Sequence, residues 1–234
     1  MQSYFIWNGV DSRAMGIITK AHAPLIRPEE RVNHVQIPGR SGDLTEIEGE
    51  NIFNSYIQTV SFSAVGKDRA IGVFRWLRGE GYITFSGEPD RRQKARVVGA
   101  VTLERVSRNM DHWRGQVQFY CQPLKERTYD TAETLTAAGA VYNAGDVDAH
   151  PVILAYPGVA TSMTITVNGI DFVIANVRNI RRIDCGAKEV TNALETVLCT
   201  IDSSGAFPVL HPGSNTISGS GWTKLEIHKN ERFL

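Results

Sequence analysis

The residues of this chain that could carry acid–base or metal chemistry are scattered. Six histidines (His22, His34, His112, His150, His211 and His228) stand singly, with no HxH or HExxH spacing to suggest a metal centre. The three cysteines, Cys121, Cys185 and Cys199, are too far apart for a disulfide scaffold or a zinc knuckle. Their odd number suits buried thiols in a reducing compartment. There is no GxSxG elbow; Ser218-Gly219-Ser220-Gly221 reads as a flexible loop. Neither a GxxxxGK[ST] loop nor a strand-GxGxxG-helix unit is present. The run Pro38-Gly39-Arg40-Ser41-Gly42 lacks the following helix that a phosphate cradle needs. Glu46 and Glu48 could serve as a glycosidase pair only at a suitable separation across a cleft, which nothing in the sequence indicates. The expectation is no catalytic residue, no metal and no cofactor.

Contact chemistry is better represented. In Val35-Gln36-Ile37-Pro38-Gly39-Arg40-Ser41-Gly42-Asp43-Leu44 an apolar lead-in runs into a proline, two glycines, a cation and an acid. Proline fixes φ and the glycines allow backbone conformations closed to other residues. The stretch reads as a strand leaving an edge into a tight turn, with Arg40 and Asp43 on opposite sides. An ordinary β-turn with a solvated ion pair fits the same pattern. The most basic segment is Arg91-Arg92-Gln93-Lys94-Ala95-Arg96. Its cations could meet nucleic acid phosphates, but no aromatic platform is interleaved with them. A solvated hairpin arm, or a charged surface pairing with acidic neighbours in an assembly, is the other reading. Among the aromatics of the second half, Trp222 could stack on a sugar, although core packing is the commoner fate of such residues.

The chain has 234 residues, 42% of them hydrophobic and 21% charged, an ordinary globular composition. Its 25 basic and 25 acidic residues cancel, which gives no global case for binding nucleic acid or an acidic membrane. The balance is uneven along the chain: residues 1–127 carry 18 basic and 14 acidic residues, and residues 128–234 carry 7 and 11. The opening residues show no secretory pattern, and no apolar run is long enough for a membrane-spanning helix.

Short strands separated by turns dominate. Tyr4-Phe5-Ile6-Trp7 leads into an Asn8-Gly9 turn, and Ala14-Met15-Gly16-Ile17-Ile18-Thr19 is a second strand. Pro24 and Pro28 mark a loop or edge. A long strand follows within residues 51–64. One helix is expected near residues 68–79, with Asp68 as N-cap, Ile71, Phe74, Trp76 and Leu77 at near-helical spacing, and Arg75 and Arg78 outward. Residues 82–85, 99–106 and 113–121 are further strands. The last places Val117, Phe119 and Cys121 on one face and Gln116, Gln118 and Tyr120 on the other, and Asn109-Met110-Asp111 is the turn before it. A boundary falls at Lys125-Glu126-Arg127, dividing the chain into 1–127 and 128–234. In the second part Met163-Thr164-Ile165-Thr166-Val167, Asn168-Gly169 and the return over 170–174 form the strongest hairpin signal. Many short strands at turn-separated intervals argue a sandwich or barrel.

Taken in order, these features resemble the distal tail proteins (Dit) of long, non-contractile-tailed bacteriophages. The matching residues are the aromatic opening with Asn8-Gly9, the Gly16-Ile17 strand, residues 24–31, Ile37-Pro38-Gly39-Arg40-Ser41-Gly42 and the helix ending before Gly81. Asn143-Ala144-Gly145 with Pro151-Val152 resembles the family's Asn-Pro-Gly…Pro-Val pattern, with Ala144 where the family often has proline. Phe207-Pro208-Val209-Leu210-His211-Pro212-Gly213-Ser214-Asn215 resembles its Pro-x-Leu-x-Pro-Gly-x-Asn signature. The resemblance implies a mainly β chain with one flanking helix. Its N-terminal domain would be a tail-tube-like β-barrel or split barrel that forms a hexameric ring, and its C-terminal domain a galectin-like β-sandwich. It also implies a virion protein, made in the host cytoplasm and placed at the distal end of the tail. Its partners would be copies of itself, the tail tube protein and a tail-tip, tail-associated lysin or baseplate protein, around a channel for DNA. No membrane and no sequence-specific nucleic acid contact is expected. On this reading Pro38, Gly39, Arg40, Asp43, Arg91, Arg92, Lys94 and Arg96 lie at subunit contacts. Recognition of host cell-wall sugars through the C-terminal sandwich, with Trp222 as the contact, is the alternative function.

Overall fold

The computed structural model describes residues 3–19, 22–47, 49–106 and 111–234. The chain is mostly β with one α-helix and divides into two compact units, Met1–Thr128 with Leu234, and Tyr129–Phe233.

In the first unit Asn8 (φ 50°) and Gly9 (φ 79°) take up the left-handed turn conformation that joins β1 (Phe5–Trp7) to β2 (Val10–Asp11). Next come β3 (Ile17–Thr19), the hairpin β4 (Val32–Val35) and β5 (Leu44–Ile47), then β6 (Tyr56–Val65), helix α1 (Lys67–Trp76), β7 (Glu80–Phe85), β8 (Arg91–Arg105) and β9 (His112–Arg127). An antiparallel sheet in the order β2-β1-β7-β8-β9-β6-β3 curls into a half-barrel. Alternation along β9 turns Val117, Phe119 and Cys121 inward, where they meet Phe5, Trp7 and Phe62, all at most 1% exposed. Phe119 collects the rings of Phe5, Trp7 and Phe85 at centroid distances of 5.8, 5.2 and 6.5 Å.

The helix differs from expectation in two respects. Its N-cap is Gly66, and Asp68 lies within the first turn without capping it. The capping acceptor comes from far along the chain: the Asp111 carboxylate accepts the Lys67 backbone N–H at 2.8 Å, and its carbonyl accepts that of Gly66. The Trp113 indole N–H (2.8 Å) and that Lys67 N–H hold the Asp111 carboxyl below the ordinary carboxylate range. The buried stripe is Ala70, Val73 and Leu77, whereas Ile71 and Phe74 face solvent. A 3.6-residue period leaves the phase of the stripe undefined when apolar residues occupy both sides of a short helix. The expected turn at residues 109–110 lies outside the described residues.

The second unit consists of two five-stranded antiparallel sheets. One runs β10 (Glu133–Leu135), β19 (Trp222–His228), β12 (Val152–Pro157), β15 (Arg181–Asp184), β16 (Glu189–Asn192). The other runs β11 (Gly139–Asn143), β18 (Gly213–Ser220), β13 (Met163–Val167), β14 (Ile170–Ile174), β17 (Ser203–Gly205). Ile153, Ile183 and Leu225 from the first and Ile165, Phe172 and Ile217 from the second share one core. It is a sandwich.

Candidate functional site

Strands β4 and β5 form a two-stranded sheet of their own, in the register Val32↔Ile47 to Val35↔Leu44. The turn between them carries Pro38, Gly39, Arg40 and Asp43, all exposed, with Gly39 and Gly42 at φ of +83° and +82°. The Arg40 backbone N–H closes it on the Ile37 carbonyl at 3.1 Å. Among the described residues Arg40 and Asp43 form no ion pair with each other or with any neighbour. Among the described residues, backbone contacts anchor the hairpin at its base. There Glu30 bridges the buried Phe53, and the backbone N–H groups of Arg31 and Asn54 bond Ile52 and Glu29. A groove of about 560 Å³ opens at this base, with exposed Ile47 and Ile52 in its wall and Glu30 and Glu50 on its rim.

The basic segment lies on a hairpin that is built into the sheet. Residues 91–96 begin β8, held between β7 and β9. Strand alternation then splits the run. Arg91 shares the inward side with buried Gln93 and Ala95 and pairs with Glu88 at 3.1 Å; Lys125, mostly buried, meets the same carboxylate at 2.7 Å. Arg92, Lys94 and Arg96 share the outward side. Arg92 is spoken for, lying 4.4 Å over the Tyr82 ring and 3.5 Å from the Glu126 carboxylate. Lys94 and Arg96 are exposed.

Register supplies the aromatic neighbours that the local sequence lacks. Lys94 lies opposite Tyr82, and Arg96 opposite Tyr120 on one side and Glu80 on the other. Beside Tyr120 stands Ile57, 52% exposed. Glu80, Lys94, Arg96 and Tyr120 line a shallow depression of about 700 Å³. Tyr82 and Tyr120 lie 12 and 24 residues or more from the cations in sequence; only the pairing of β7, β8 and β9 brings them there. Beneath the sheet, the Gln93 amide donates to the Tyr56 hydroxyl (2.9 Å) and to the Gln122 carbonyl. Burial pushes the Tyr56 hydroxyl up to about 12, the Gln93 contact opposing it.

Trp222 is half-buried and packs against the core of the second unit, with its indole nitrogen enclosed and unpartnered among the described residues. The described residues contain no group of three His, Cys, Asp or Glu side chains placed to hold a metal ion.

No protein-family model matches the chain, and no curated protein sequence matches it. Among solved structures it is similar to the SPP1 Dit (gp 19.1) protein, described as a paradigm of the hub adsorption apparatus in phages that infect Gram-positive bacteria. The identity is 16%, the TM-score 0.76, and all of each chain is covered. From its first strand to its last, this chain has the fold of a phage Dit protein.

Proposed function

We propose that this chain is a structural hub of a long, non-contractile phage tail tip. Six copies close into a ring that joins the tail tube to the tip or baseplate and leaves a channel for DNA. The carrying observation is the full-length likeness, at a TM-score of 0.76, to a Dit protein described as a hub. The surfaces support it. A ring requires two different patches on one subunit, each fitting the other on its neighbour. Unit 1 has an acidic and apolar one at the base of the β4–β5 hairpin (Glu30, Glu46, Ile47, Glu50 and Ile52), and a basic one on β8 (Lys94 and Arg96). In the ring the hairpin of one copy lies against the β8 face of the next, and Arg40 at its tip forms an inter-subunit ion pair. The remaining faces take the tail tube protein and a tail-tip, lysin or baseplate protein, at the distal end of the virion's tail. The chain contributes geometry and no catalysis.

Native mass spectrometry across a concentration series, with negative-stain imaging, tests this reading. The expected species has six copies and a central hole. Arg40→Glu, and separately the pair Lys94→Glu and Arg96→Glu, should depopulate it while circular dichroism stays unchanged. A strict monomer at every concentration defeats self-assembly; rings that persist in the variants remove these residues from the contact.

A further inference from the structure

The chain contains two Asn-Gly pairs, Asn8-Gly9 and Asn168-Gly169, and both form two-residue turns. Their dihedral angles nearly coincide: φ is 50° at each asparagine, 79° at Gly9 and 83° at Gly169. Such a pair can react with itself, because the glycine has no side chain to keep its backbone nitrogen from the asparagine Cγ. We propose that Asn8 is a site of spontaneous deamidation in the folded protein, and that Asn168 is protected despite its matching sequence and turn.

The only co-reactant is water. The Gly9 nitrogen loses its proton and attacks Asn8 Cγ; the N–Cγ bond forms, the Cγ–Nδ2 bond breaks, and ammonia leaves with that proton. Water then opens the cyclic imide at either carbonyl, giving aspartate or isoaspartate and one new negative charge. Attack requires the asparagine to leave its turn conformation and free its side chain. The contacts holding each turn and each amide therefore set the rate.

Asn168 is held on both counts. Its amide donates to the fully buried Asn215 Oδ1 at 2.8 Å, and its Oδ1 accepts the Thr216 N–H at 2.9 Å. Its hairpin is five residue pairs long, with β18 beyond one strand and β17 beyond the other. Asn8 is held more loosely. Its Oδ1 accepts the Tyr82 N–H at 3.0 Å, which polarises Cγ in the same way, but its amide reaches the Glu80 carbonyl only at 3.5 Å. That is the limit of a hydrogen bond, so the departing nitrogen is almost untethered. Strand β2 is two residues long and ends the sheet. Opening the turn separates Val10 and Asp11 from β1 and, among the described residues, from no other strand. The Phe5–Ser12 hydrogen bonds beyond it, at 2.9 and 3.1 Å, need not break.

The products do not fit the closed turn. The Asn8 side chain lies over Gly81, where a Cβ would stand 1.6 Å from Oδ1. A carboxylate in its place has no proton to offer the Glu80 carbonyl. Isoaspartate also lengthens the main chain by one carbon and disrupts the Trp7↔Val10 register. Conversion thus releases β2 and uncovers the edge of β1.

Peptide mapping by mass spectrometry of the full chain, aged in mildly alkaline buffer, tests this, with the same chain in urea as the reference. Conversion at Asn8 should run at least about ten-fold faster than at Asn168 in the folded chain, and the two rates should become comparable in urea. Asn8→Gln should remove the product from its own peptide and leave Asn168 unchanged. Amide exchange at Val10 should quicken as the product accumulates; unchanged exchange overturns the release of β2. Equal rates in the folded chain, faster loss at Asn168, or an Asn8 peptide still intact when the chain in urea has converted overturns the assignment. The readout involves no assembly, so its failure would leave the hub reading untouched.

Discussion

Two hairpins in this chain announce themselves by glycine turns, and they have opposite fates. In β13–β14 the two-residue turn Asn168-Gly169 is tied to β18 through the Asn168 side chain, and every second residue of β13 (Met163, Ile165, Val167) enters the sandwich core. In β4–β5 no residue is fully buried and no other strand is paired. Turn chemistry decides that a hairpin forms; the identity of its alternate residues decides whether the fold uses it or leaves it available. An ordered, unpacked hairpin with Val35, Ile37 and Ile47 between 41 and 63% exposed is suited to a partner's surface.

The largest effect that tests this contrast is core truncation. Phe172→Ala on β14 should cost about 3–5 kcal/mol in urea unfolding of the second unit. Ile37→Ala beside the free turn should cost less than about 0.5 kcal/mol while weakening the assembled ring. Equal losses would mean that β4–β5 is packed in solution.

Glycine substitutions sharpen it next. Gly205, at φ +96° in β17, would place a Cβ 2.3 Å from the Asp171 carbonyl of β14, so Gly205→Ala combines backbone strain with a clash and should cost about 2–4 kcal/mol. Gly42, at φ +82° with open space around it, should lose only the backbone term, about 1 kcal/mol. Thermal melts of the two variants give the comparison.

Accessibility offers a third test. Trypsin should cut after Arg40 first in the monomer, and assembly should slow that cleavage several-fold, because opening there disrupts no core. Early cleavage elsewhere would show that the hairpin is not the least protected element.

The smallest effect, absent at neutral pH, concerns the body that anchors the free hairpin. Tyr56 and Cys121 pair directly across β6 and β9, and burial pushes each up to about 12. Unfolded, they ionise near their ordinary values of about 10 and 8.5. The stabilisation is thus complete below about pH 8.5 and is lost as pH rises towards 12. Denaturant midpoints across that range should fall in wild type and fall less in Tyr56→Phe.

Several local features were legible in the amino acids themselves. Asn8-Gly9 and Asn168-Gly169 dictate tight turns because few residues tolerate positive φ, and the strict alternation through 116–121 dictates which side of β9 is buried. The resemblance to Dit proteins, carried by the order of such turns, agrees with the fold found. Register and long-range contact were not legible. Tertiary structure alone set Tyr82 and Tyr120 beside Lys94 and Arg96, and gave α1 an acceptor 44 residues away instead of Asp68. It also brought Asp148 within 2.8 Å of His211, 63 residues later. Dihedral limits and periodicity act over a few residues, whereas these neighbours are selected by which strands pair and in what register. That choice is made by the whole buried core at once.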